Sequence, residues 1–240
     1  MDSLHRELLK VENLSVDFAT KQGTVHAVRD ISFQINTREI IGVVGESGSG
    51  KSVSMLAIMN LLADNATVTS GKIRFEGQDL SPAGLTTKAQ KNAHEKQMMD
   101  IRGKQIGMVF QDPMTFLNPV LKIGVQLTEG IIRHTKCTKE EAKKRAVELL
   151  AQVGISNPEK RLNQYPHQFS GGMRQRIIIA AALACNPKIL IADEPTTALD
   201  VTVQAQILSL IEGLVKGMGS SALVITHDLG VVAELCDKIV

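Results

Sequence analysis

The sequence lacks three features that would point to particular classes of protein. Its 27 Lys and Arg residues nearly balance its 25 Asp and Glu residues. The formal net charge of +2 therefore provides no basic field for a nucleic-acid partner. No apolar run approaches the roughly 20 residues that a membrane-spanning helix needs. The first residues contain no uninterrupted apolar segment of the kind found in signal peptides. We therefore expect any membrane role to come through a partner.

Cysteine is scarce, with Cys137, Cys185 and Cys236 widely separated and no CxxC pair. This spacing predicts three reduced thiols in a cytosolic protein, and supports neither a disulfide framework nor a zinc site within this chain. The hydrophobic content of 43% and charged content of 22% are ordinary for a globular protein. A chain of 240 residues can bury one substantial core, with room for a small subdomain.

Apolar patterning predicts strands that alternate with helices. Residues 9–18 and 25–35 mostly alternate between apolar and polar side chains, which indicates half-buried antiparallel strands. Short apolar runs indicate buried parallel strands at 40–44, 106–110, 189–192 and 222–226. Helical periodicity follows several of them, first over 51–62, and a further short strand is predicted at 72–75. Residues 86–103 are polar and fit either an exposed helix or a loop. The sequence predicts an α/β protein.

A glycine-rich stretch joins one predicted strand to a helix. Residues 45–52 read GESGSGKS and fit the pattern G-x-x-x-x-G-K-[ST], the phosphate-binding P-loop. Glycines let successive N–H groups point at one anion, and the helix N-terminus adds positive charge. Lys51 can reach the β- and γ-phosphates, and the Ser52 hydroxyl can bind Mg²⁺. The predicted nucleotide-binding residues are Gly45, Glu46, Ser47, Gly48, Ser49, Gly50, Lys51 and Ser52.

Two acidic residues follow the predicted strand 189–192. Asp193 suits the Mg²⁺ shell, commonly through water, and Glu194 suits polarising a water for attack on the γ-phosphate. Ser170, Gly171 and Gly172 precede a predicted helix, where the backbone can again approach a phosphate. Taken alone, the acids are more typical of a strand that ends in polar residues, and Ser-Gly-Gly is more often a loop. The P-loop upstream favours the nucleotide site for the acids, and the position just before the Asp193–Glu194 strand favours it for Ser-Gly-Gly.

Six motifs in a fixed order make the sequence resemble the ATP-binding subunit of an ABC transporter. It is most similar to the importer subunits for dipeptides, oligopeptides or nickel. The motifs are GESGSGKS at 45–52, VFQDP at 109–113, FSGGMRQR at 169–176, ILIADEPT at 189–196, TALD at 197–200 and ITHD at 225–228. The resemblance runs from about residue 11 to residue 240 and implies a P-loop NTPase (ABC ATPase) fold with a mostly parallel sheet core. It further implies a single ABC ATPase domain over 1–240, with an N-terminal antiparallel β subdomain and a helical subdomain at about 114–185.

The resemblance also implies roles for individual residues. Gln111 would contact Mg²⁺ and the attacking water while sensing the membrane partner. Residues 170–172 would close over the ATP held by the opposite protomer, and Asp200 would couple the two sites across the dimer. His227 would contact the γ-phosphate. Judged without the family resemblance, a histidine at position 227 would more often have a structural role at the end of a strand. Gln111 would then be an ordinary surface residue. Phe18 fits the position of an aromatic side chain that stacks on adenine, and core packing stays open for it. The implied catalytic residues are Lys51, Gln111, Glu194 and His227, and the implied metal ligands are Ser52, Gln111 and Asp193.

The function implied is an ATP-driven clamp with ATP and Mg²⁺ as cofactors. Two ATPase subunits, identical or different, would sandwich two ATP molecules and pull on two transmembrane permease subunits at the cytoplasmic face of the cell membrane. An extracytoplasmic solute-binding protein would deliver dipeptides or oligopeptides, and no nucleic acid would take part. Members of this subgroup usually carry a C-terminal extension, and the apolar pattern still rises over 235–240, so we expect the natural chain to continue.

Three alternatives stay open at this point. An importer ATPase of the same subgroup could serve nickel or another small solute. A non-transport ABC ATPase of DNA repair or translation would usually show zinc-binding CxxC pairs, long coiled-coil insertions or two cassettes, and none is visible in this sequence. A regulatory module without turnover is disfavoured because Glu194 and His227 are both present.

Overall fold

A computed structural model describes residues 6–112, 116–197 and 199–240. Pro113 of the VFQDP motif, residue 114 at the start of the predicted helical subdomain, and Ala198 of the TALD motif lie outside the described residues. The chain divides into two compact units, which are unit 1 (Met1–Arg102 and Ser221–Val240) and unit 2 (Gly103–Ser220). The predicted α/β class is confirmed, while the predicted boundaries of a single domain and its helical subdomain stay predictions.

The described elements alternate as the apolar pattern predicts. In chain order they are β1 (Glu7–Thr20), β2 (Gly23–Asn36), β3 (Ile40–Val44), α1 (Lys51–Ile58), β4 (Ala66–Phe75), β5 (Gln78–Asp79), α2 (Lys88–Ile101), β6 (Ile106–Val109), α3 (Ile123–Thr135), α4 (Lys139–Gln152), α5 (Pro158–Arg161), a 3₁₀ turn (Pro166–Gln168), α6 (Gly171–Ala182), β7 (Ile189–Asp193), α7 (Val201–Met218), β8 (Ser221–Thr226), α8 (Leu229–Leu235) and β9 (Lys238–Ile239). No helix of the described residues combines the length and apolar character needed to cross a membrane.

Unit 1 contains an antiparallel sheet with strand order β2-β1-β4-β5. Leu9 and Val11 alternate into the core, and Leu14 and Val16 resume the alternation after a register shift at Asn13, whose φ is 51°. Side chains of a strand alternate between its faces, so the bulge keeps both apolar pairs buried although their spacing changes phase. The predicted strand at 72–75 is the end of the longer β4.

Three parallel strands of unit 1 carry the segments that matter for the site. β3 pairs with β8 from Ile40↔Ala222 to Val44↔Thr226, and its other edge pairs with β9. The residues of β8 are buried throughout, as expected for a strand covered on both faces. Because β3 and β8 are parallel and in register at their last residues, the segments that follow them leave the same edge.

Two helices of unit 1 refine the sequence prediction. The predicted helical pattern over 51–62 is too long, since α1 ends at Ile58. Asn60 adopts a left-handed φ of 52°, and Leu61 N–H donates to the Leu56 carbonyl at 2.8 Å, which is a Schellman termination. For the region 86–103, which the sequence left open, the structure shows α2. A capping box between Thr87 and Gln90 starts this helix.

Unit 2 combines the parallel pair β6 and β7 with helices. Their register runs from Ile106↔Ile189 to Val109↔Ala192, and both strands are buried throughout. Helix α4 begins with the capping box that a Thr followed three residues later by a Glu predicts. Thr138 Oγ1 accepts from the Glu141 N–H, and the Glu141 carboxylate accepts from the Thr138 N–H.

Helix α8 and Cys236, the residue that follows it, lie close against β3. A Cβ on Gly42 would meet Val232 Cγ1 at 2.5 Å and Cys236 Sγ at 3.0 Å, so only glycine permits this approach. Burial, with a smaller effect of the Asp237 charge, raises the pKa of the Cys236 thiol from the usual 9.0 to about 11. All three cysteines are unpaired thiols in the structure.

We expect Cys236 to be alkylated slowly in the folded protein. The thiolate is the nucleophile, and the raised pKa leaves roughly 100-fold less thiolate at pH 8 than in the unfolded chain. Iodoacetamide labelling of the Cys236 peptide, followed by mass spectrometry, should therefore accelerate roughly 100-fold in urea. In the native protein, the rate should rise about tenfold per pH unit from pH 8 to 10. Equal native and denatured rates at pH 8 would contradict the burial effect.

Candidate functional site

The P-loop leaves β3 in unit 1 and enters α1. Gly48 and Gly50 take left-handed φ values of 80° and 92°, which L-residues with a side chain rarely adopt. Lys51 Nζ donates to the carbonyls of Gly45 and Glu46, both at 2.7 Å, and reaches Ser49 Oγ at 3.3 Å. The three protons of the ammonium group therefore all find oxygens of the loop itself.

The loop has the shape that a phosphate group requires. A Cβ on Gly45 would meet Ser49 Oγ at 2.9 Å, so a side chain there would fill the cradle. Helix α1 has no side-chain cap at Gly50, and the positive end of its dipole, at this N-terminus, favours an anion. Residues 46–49 are exposed, so a ligand can reach the loop from solvent. These features fit the phosphates of a nucleotide.

His227 lies at the same edge as the P-loop within unit 1. It follows Thr226, which pairs with Val44, the residue before Gly45. Thr226 Oγ1 accepts from the Asp228 N–H at 3.0 Å and fixes the turn that carries His227 into α8. Phe18 is half-buried near the end of β1, opposite Val25 and Ala66. The adenine-stacking role of Phe18 stays a prediction.

In unit 2, the predicted hydrolysis residues converge at the end of β7. Asp193 is the last residue of β7 and is only 4% exposed, whereas Glu194 is half-buried. Gln111 follows β6, the strand next to β7, and its Nε2 donates to Glu194 Oε2 at 3.0 Å. An ionised carboxylate only accepts hydrogen bonds, so this contact fixes which end of the Gln111 amide faces Glu194. Two residues that are far apart in sequence thus meet at one carboxylate.

Thr197 also contacts Glu194, a contact that the sequence reasoning missed. Thr197 Oγ1 donates to Glu194 Oε2 at 2.9 Å, and Thr197 N–H donates to the Glu194 carbonyl at 3.1 Å. Glu194 has a left-handed φ of 42°, so the chain reverses sharply after β7. The sequence does contain a signal for this turn. Pro195 follows Glu194, and the hydroxyl residue Thr197 lies three positions after Glu194, which is a typical turn composition.

The remaining predicted site residues lie at the N-termini of two helices of unit 2, and these helices pack against each other. Ser170 is the N-cap of α6, and its Oγ accepts from the Met173 N–H at 3.4 Å. Asp200 is the N-cap of α7, and its Oδ1 accepts from the Val203 N–H at 3.0 Å. A Cβ on Gly172 would meet Val203 Cγ1 at 3.0 Å, so glycine permits the close helix approach. Ser170, Gly171 and Asp200 are exposed and can meet a ligand or partner.

The structure thus joins the predicted residues into two groups. Unit 1 holds Lys51 and the P-loop beside the segment of His227, and unit 2 holds Gln111 with Glu194. Among the described residues, no group of three or more His, Cys, Asp or Glu is placed to hold a metal ion. The predicted ligands Ser52, Gln111 and Asp193 offer oxygens, the donor type that Mg²⁺ prefers, and their joint role stays a prediction.

A buried strand that enters a helix through a P-loop, together with a second strand that ends in paired acids, defines the P-loop NTPase class of α/β protein. Within this class, the chain belongs to the ABC transporter family, whose profile matches residues 28–197.

Curated relatives and solved structures agree with this assignment. The chain is 55% identical to the oligopeptide transport ATP-binding protein OppD of Bacillus subtilis (strain 168), over 97% of this chain and 62% of the relative. It is 52% identical to the dipeptide transport ATP-binding protein DppD of the same organism, over 97% of this chain and 67% of that relative. The chain thus spans about two thirds or less of the length of these relatives. A dimeric, post-hydrolysis structure of the ATP-binding cassette MJ0796 with ADP and Pi matches with a TM-score of 0.81 and 29% identity, covering 97% of this chain and 93% of that one.

The two left-handed glycines of the P-loop should tolerate alanine very differently. Gly50→Ala places a Cβ 2.4 Å from the Ala27 carbonyl oxygen, whereas a Cβ on Gly48 meets nothing within 4 Å. Gly48→Ala should lower the free energy of unfolding by about 1–2 kcal/mol through backbone strain alone. Gly50→Ala adds the clash and should lower it by roughly 2–5 kcal/mol. Urea denaturation of both variants checks the difference, and equal losses would contradict the close packing of Gly50 on β2.

Proposed function

We propose that this chain is the ATP-hydrolysing subunit that energises a binding-protein-dependent importer of dipeptides or oligopeptides. The observation that carries the proposal is the Gln111–Glu194 hydrogen bond of 3.0 Å at the end of β7, in a chain with a complete P-loop. This hydrogen bond brings together Glu194, which we predict to polarise the attacking water, and Gln111, which by family resemblance would contact that water. The relatives named as oligopeptide and dipeptide transport ATP-binding proteins support the cargo class over nickel.

Phosphate binding would use groups that the loop already arranges. Lys51 would transfer its hydrogen bonds from the carbonyls of Gly45 and Glu46 to β- and γ-phosphate oxygens, which attract the ammonium group more strongly. The first N–H groups of α1 and the glycine-rich backbone would donate to the same phosphates. His227, at the same edge of the parallel strands, would contact the γ-phosphate.

Hydrolysis would use the carboxylate of Glu194 as the general base for a water molecule. Gln111 donates through Nε2 to Glu194, which directs its amide oxygen away from the carboxylate toward a water or cation. Mg²⁺ bound with ATP would neutralise charge on the phosphate oxygens, and Ser52, Gln111 and Asp193 would hold it. Asp193 is buried at the end of β7, which suits an indirect contact through water.

A second ATPase subunit and two permease subunits would complete the transporter. Ser170, Gly171 and Gly172 are at the exposed start of α6, where they can close over a nucleotide held by the partner protomer. The related MJ0796 cassette is described as dimeric. Val120 and Val125 follow Gln111 in the chain and are 75% and 49% exposed. This exposed apolar surface would suit contact with a permease at the cytoplasmic face of the membrane. A solute-binding protein outside the membrane would supply the peptide.

The roles of Lys51 and Glu194 should separate in ATP binding and hydrolysis. Glu194→Gln should lower the hydrolysis rate by roughly 10²-fold or more while ATP affinity persists, because it removes the base and keeps the shape. Lys51→Ala should weaken ATP binding itself through the loss of a charged partner of the phosphates. Equilibrium nucleotide binding and steady-state hydrolysis measure the two effects.

Glu212→Gln is a matched control, since Glu212 is on α7 and forms a surface ion pair with Lys216 at 2.7 Å. Binding and hydrolysis by this variant should equal those of the wild type. An equal loss of ATP affinity in Glu194→Gln and Lys51→Ala would overturn the role assignment.

Mixing two inactive variants should restore hydrolysis if each pocket is shared by two protomers. Lys51→Ala damages the P-loop, and Ser170→Arg blocks the segment of Ser170, Gly171 and Gly172, which we call the signature segment. In a two-fold dimer, each pocket takes its P-loop from one protomer and its signature from the other. With random assembly and independent pockets, half the dimers are mixed and each has one intact pocket. Hydrolysis should therefore recover to about a quarter of the wild-type rate.

Sizing of differently tagged variants must accompany this mixing experiment, because hydrolysis can recover only where mixed dimers form. Each variant alone provides the baseline. Mixed dimers that form and remain inactive would contradict independent shared pockets.

A further inference from the structure

We propose that Thr197 is a positioning residue for ATP hydrolysis, because its hydroxyl orients the Glu194 carboxylate. The inference deepens the proposed function and rests on the assignment of Glu194 as the general base. The sequence motifs give Thr197 no role beyond its place after the acidic pair. The structure adds a contact of this side chain with the reacting group.

Two donors approach the same oxygen of Glu194. Thr197 Oγ1 is 2.9 Å from Oε2, and Gln111 Nε2 is 3.0 Å from it. Both distances are those of well-formed hydrogen bonds. Two donors from different segments restrict rotation of the carboxylate and so set its orientation. A general base needs this restriction because small displacements of a reacting group reduce the rate steeply.

The bond from Thr197 is built into the turn that carries Glu194. Thr197 N–H donates to the Glu194 carbonyl at 3.1 Å, and the proline between them has a fixed φ. Gln204 Nε2 from α7 donates to the Thr196 carbonyl at 3.3 Å and ties the same turn to the helix. The β-branched Thr197 has few χ1 rotamers, so its hydroxyl is held beside the carboxylate.

The bond from Gln111 differs because its segment lies far away in the sequence. Gln111 is exposed and follows β6, and its proposed role requires it to engage the water and Mg²⁺ when ATP is bound. Any shift of that segment changes the Gln111–Glu194 distance, whereas Thr197 moves with Glu194. Thr197 therefore maintains the carboxylate orientation through the reaction cycle.

Three substitutions test the hydroxyl separately from the shape of the side chain. Thr197→Val keeps the β-branched shape and removes the donor, and Thr197→Ser restores a donor. Thr135→Val removes a comparable hydroxyl that donates to the Ile131 carbonyl at 2.8 Å in α3, away from Glu194. Steady-state ATP hydrolysis, ATP affinity and the melting temperature are measured for each purified protein. Thr197→Ala replaces Thr197→Val if the latter does not fold.

We expect Thr197→Val to lower kcat about ten- to a hundredfold while the KM for ATP changes less than about twofold. Thr197→Ser should recover most of kcat, and Thr135→Val should match the wild type. A purely structural role would instead lower the melting temperature or ATP affinity together with kcat. A wild-type kcat for Thr197→Val, or equal loss in the Val and Ser variants, would overturn the proposal.

Glu194→Gln distinguishes failure of this inference from failure of the proposed function. If Glu194→Gln retains wild-type hydrolysis, the assignment of Glu194 as base is wrong and the role of Thr197 falls with it. If Glu194→Gln is inactive while Thr197→Val is fully active, the base assignment stands and only the positioning role is wrong.

Discussion

The site depends on one constraint, which is the parallel pairing of buried strands. Strands covered on both faces cannot carry polar side chains along their length, so the polar residues come where each strand ends. Parallel neighbours end at the same edge, which gathers those residues. In unit 1, the pairing of Val44 with Thr226 places the P-loop beside the segment of His227. In unit 2, the pairing of β6 with β7 brings Gln111 to Glu194.

Left-handed backbone conformations shape the loops that follow these strands. Gly48 and Gly50 curl the P-loop, and Glu194 adopts a φ of 42° that non-glycine residues rarely take. A non-glycine residue in this conformation costs about 1–2 kcal/mol. The hydrogen bond from the Thr197 N–H to the Glu194 carbonyl closes the turn and offsets that strain. The same turn therefore stabilises the conformation and aims the side chain.

Hydrogen bonds orient the charged groups of both units. Lys51 satisfies its charge on oxygens of its own loop, and Glu194 accepts donors from two parts of unit 2. Each of the two side chains is thus oriented by hydrogen bonds within its own unit. Preorganised charges and dipoles are the largest contribution to many enzymatic rate enhancements. Under the proposed function, these hydrogen bonds would orient the groups that act on phosphate and water.

Local patterns in the sequence determined the α/β class, the P-loop and the capping box of α4. Each of these depends on residues close together in the chain, such as Gly45 to Ser52 or Thr138 with Glu141, and their chemistry acts over one turn. The resemblance to ABC ATPases added Gln111, the segment 170–172 and His227. The family itself is confirmed, whereas the roles of these residues stay predictions.

The tertiary structure decided what local pattern could not. The Gln111–Glu194 contact spans 83 positions and exists because β6 and β7 pair. Apolar periodicity overestimated α1, because a left-handed Asn60 ends the helix, although Leu61 and Leu62 continue the apolar pattern in the sequence. The polar segment 86–103 became α2 because His94, Met98 and Ile101 find buried positions. The hydroxyl of Thr197 gained its contact from the strained turn at Glu194, since the direction of a side chain depends on backbone angles that composition alone does not fix.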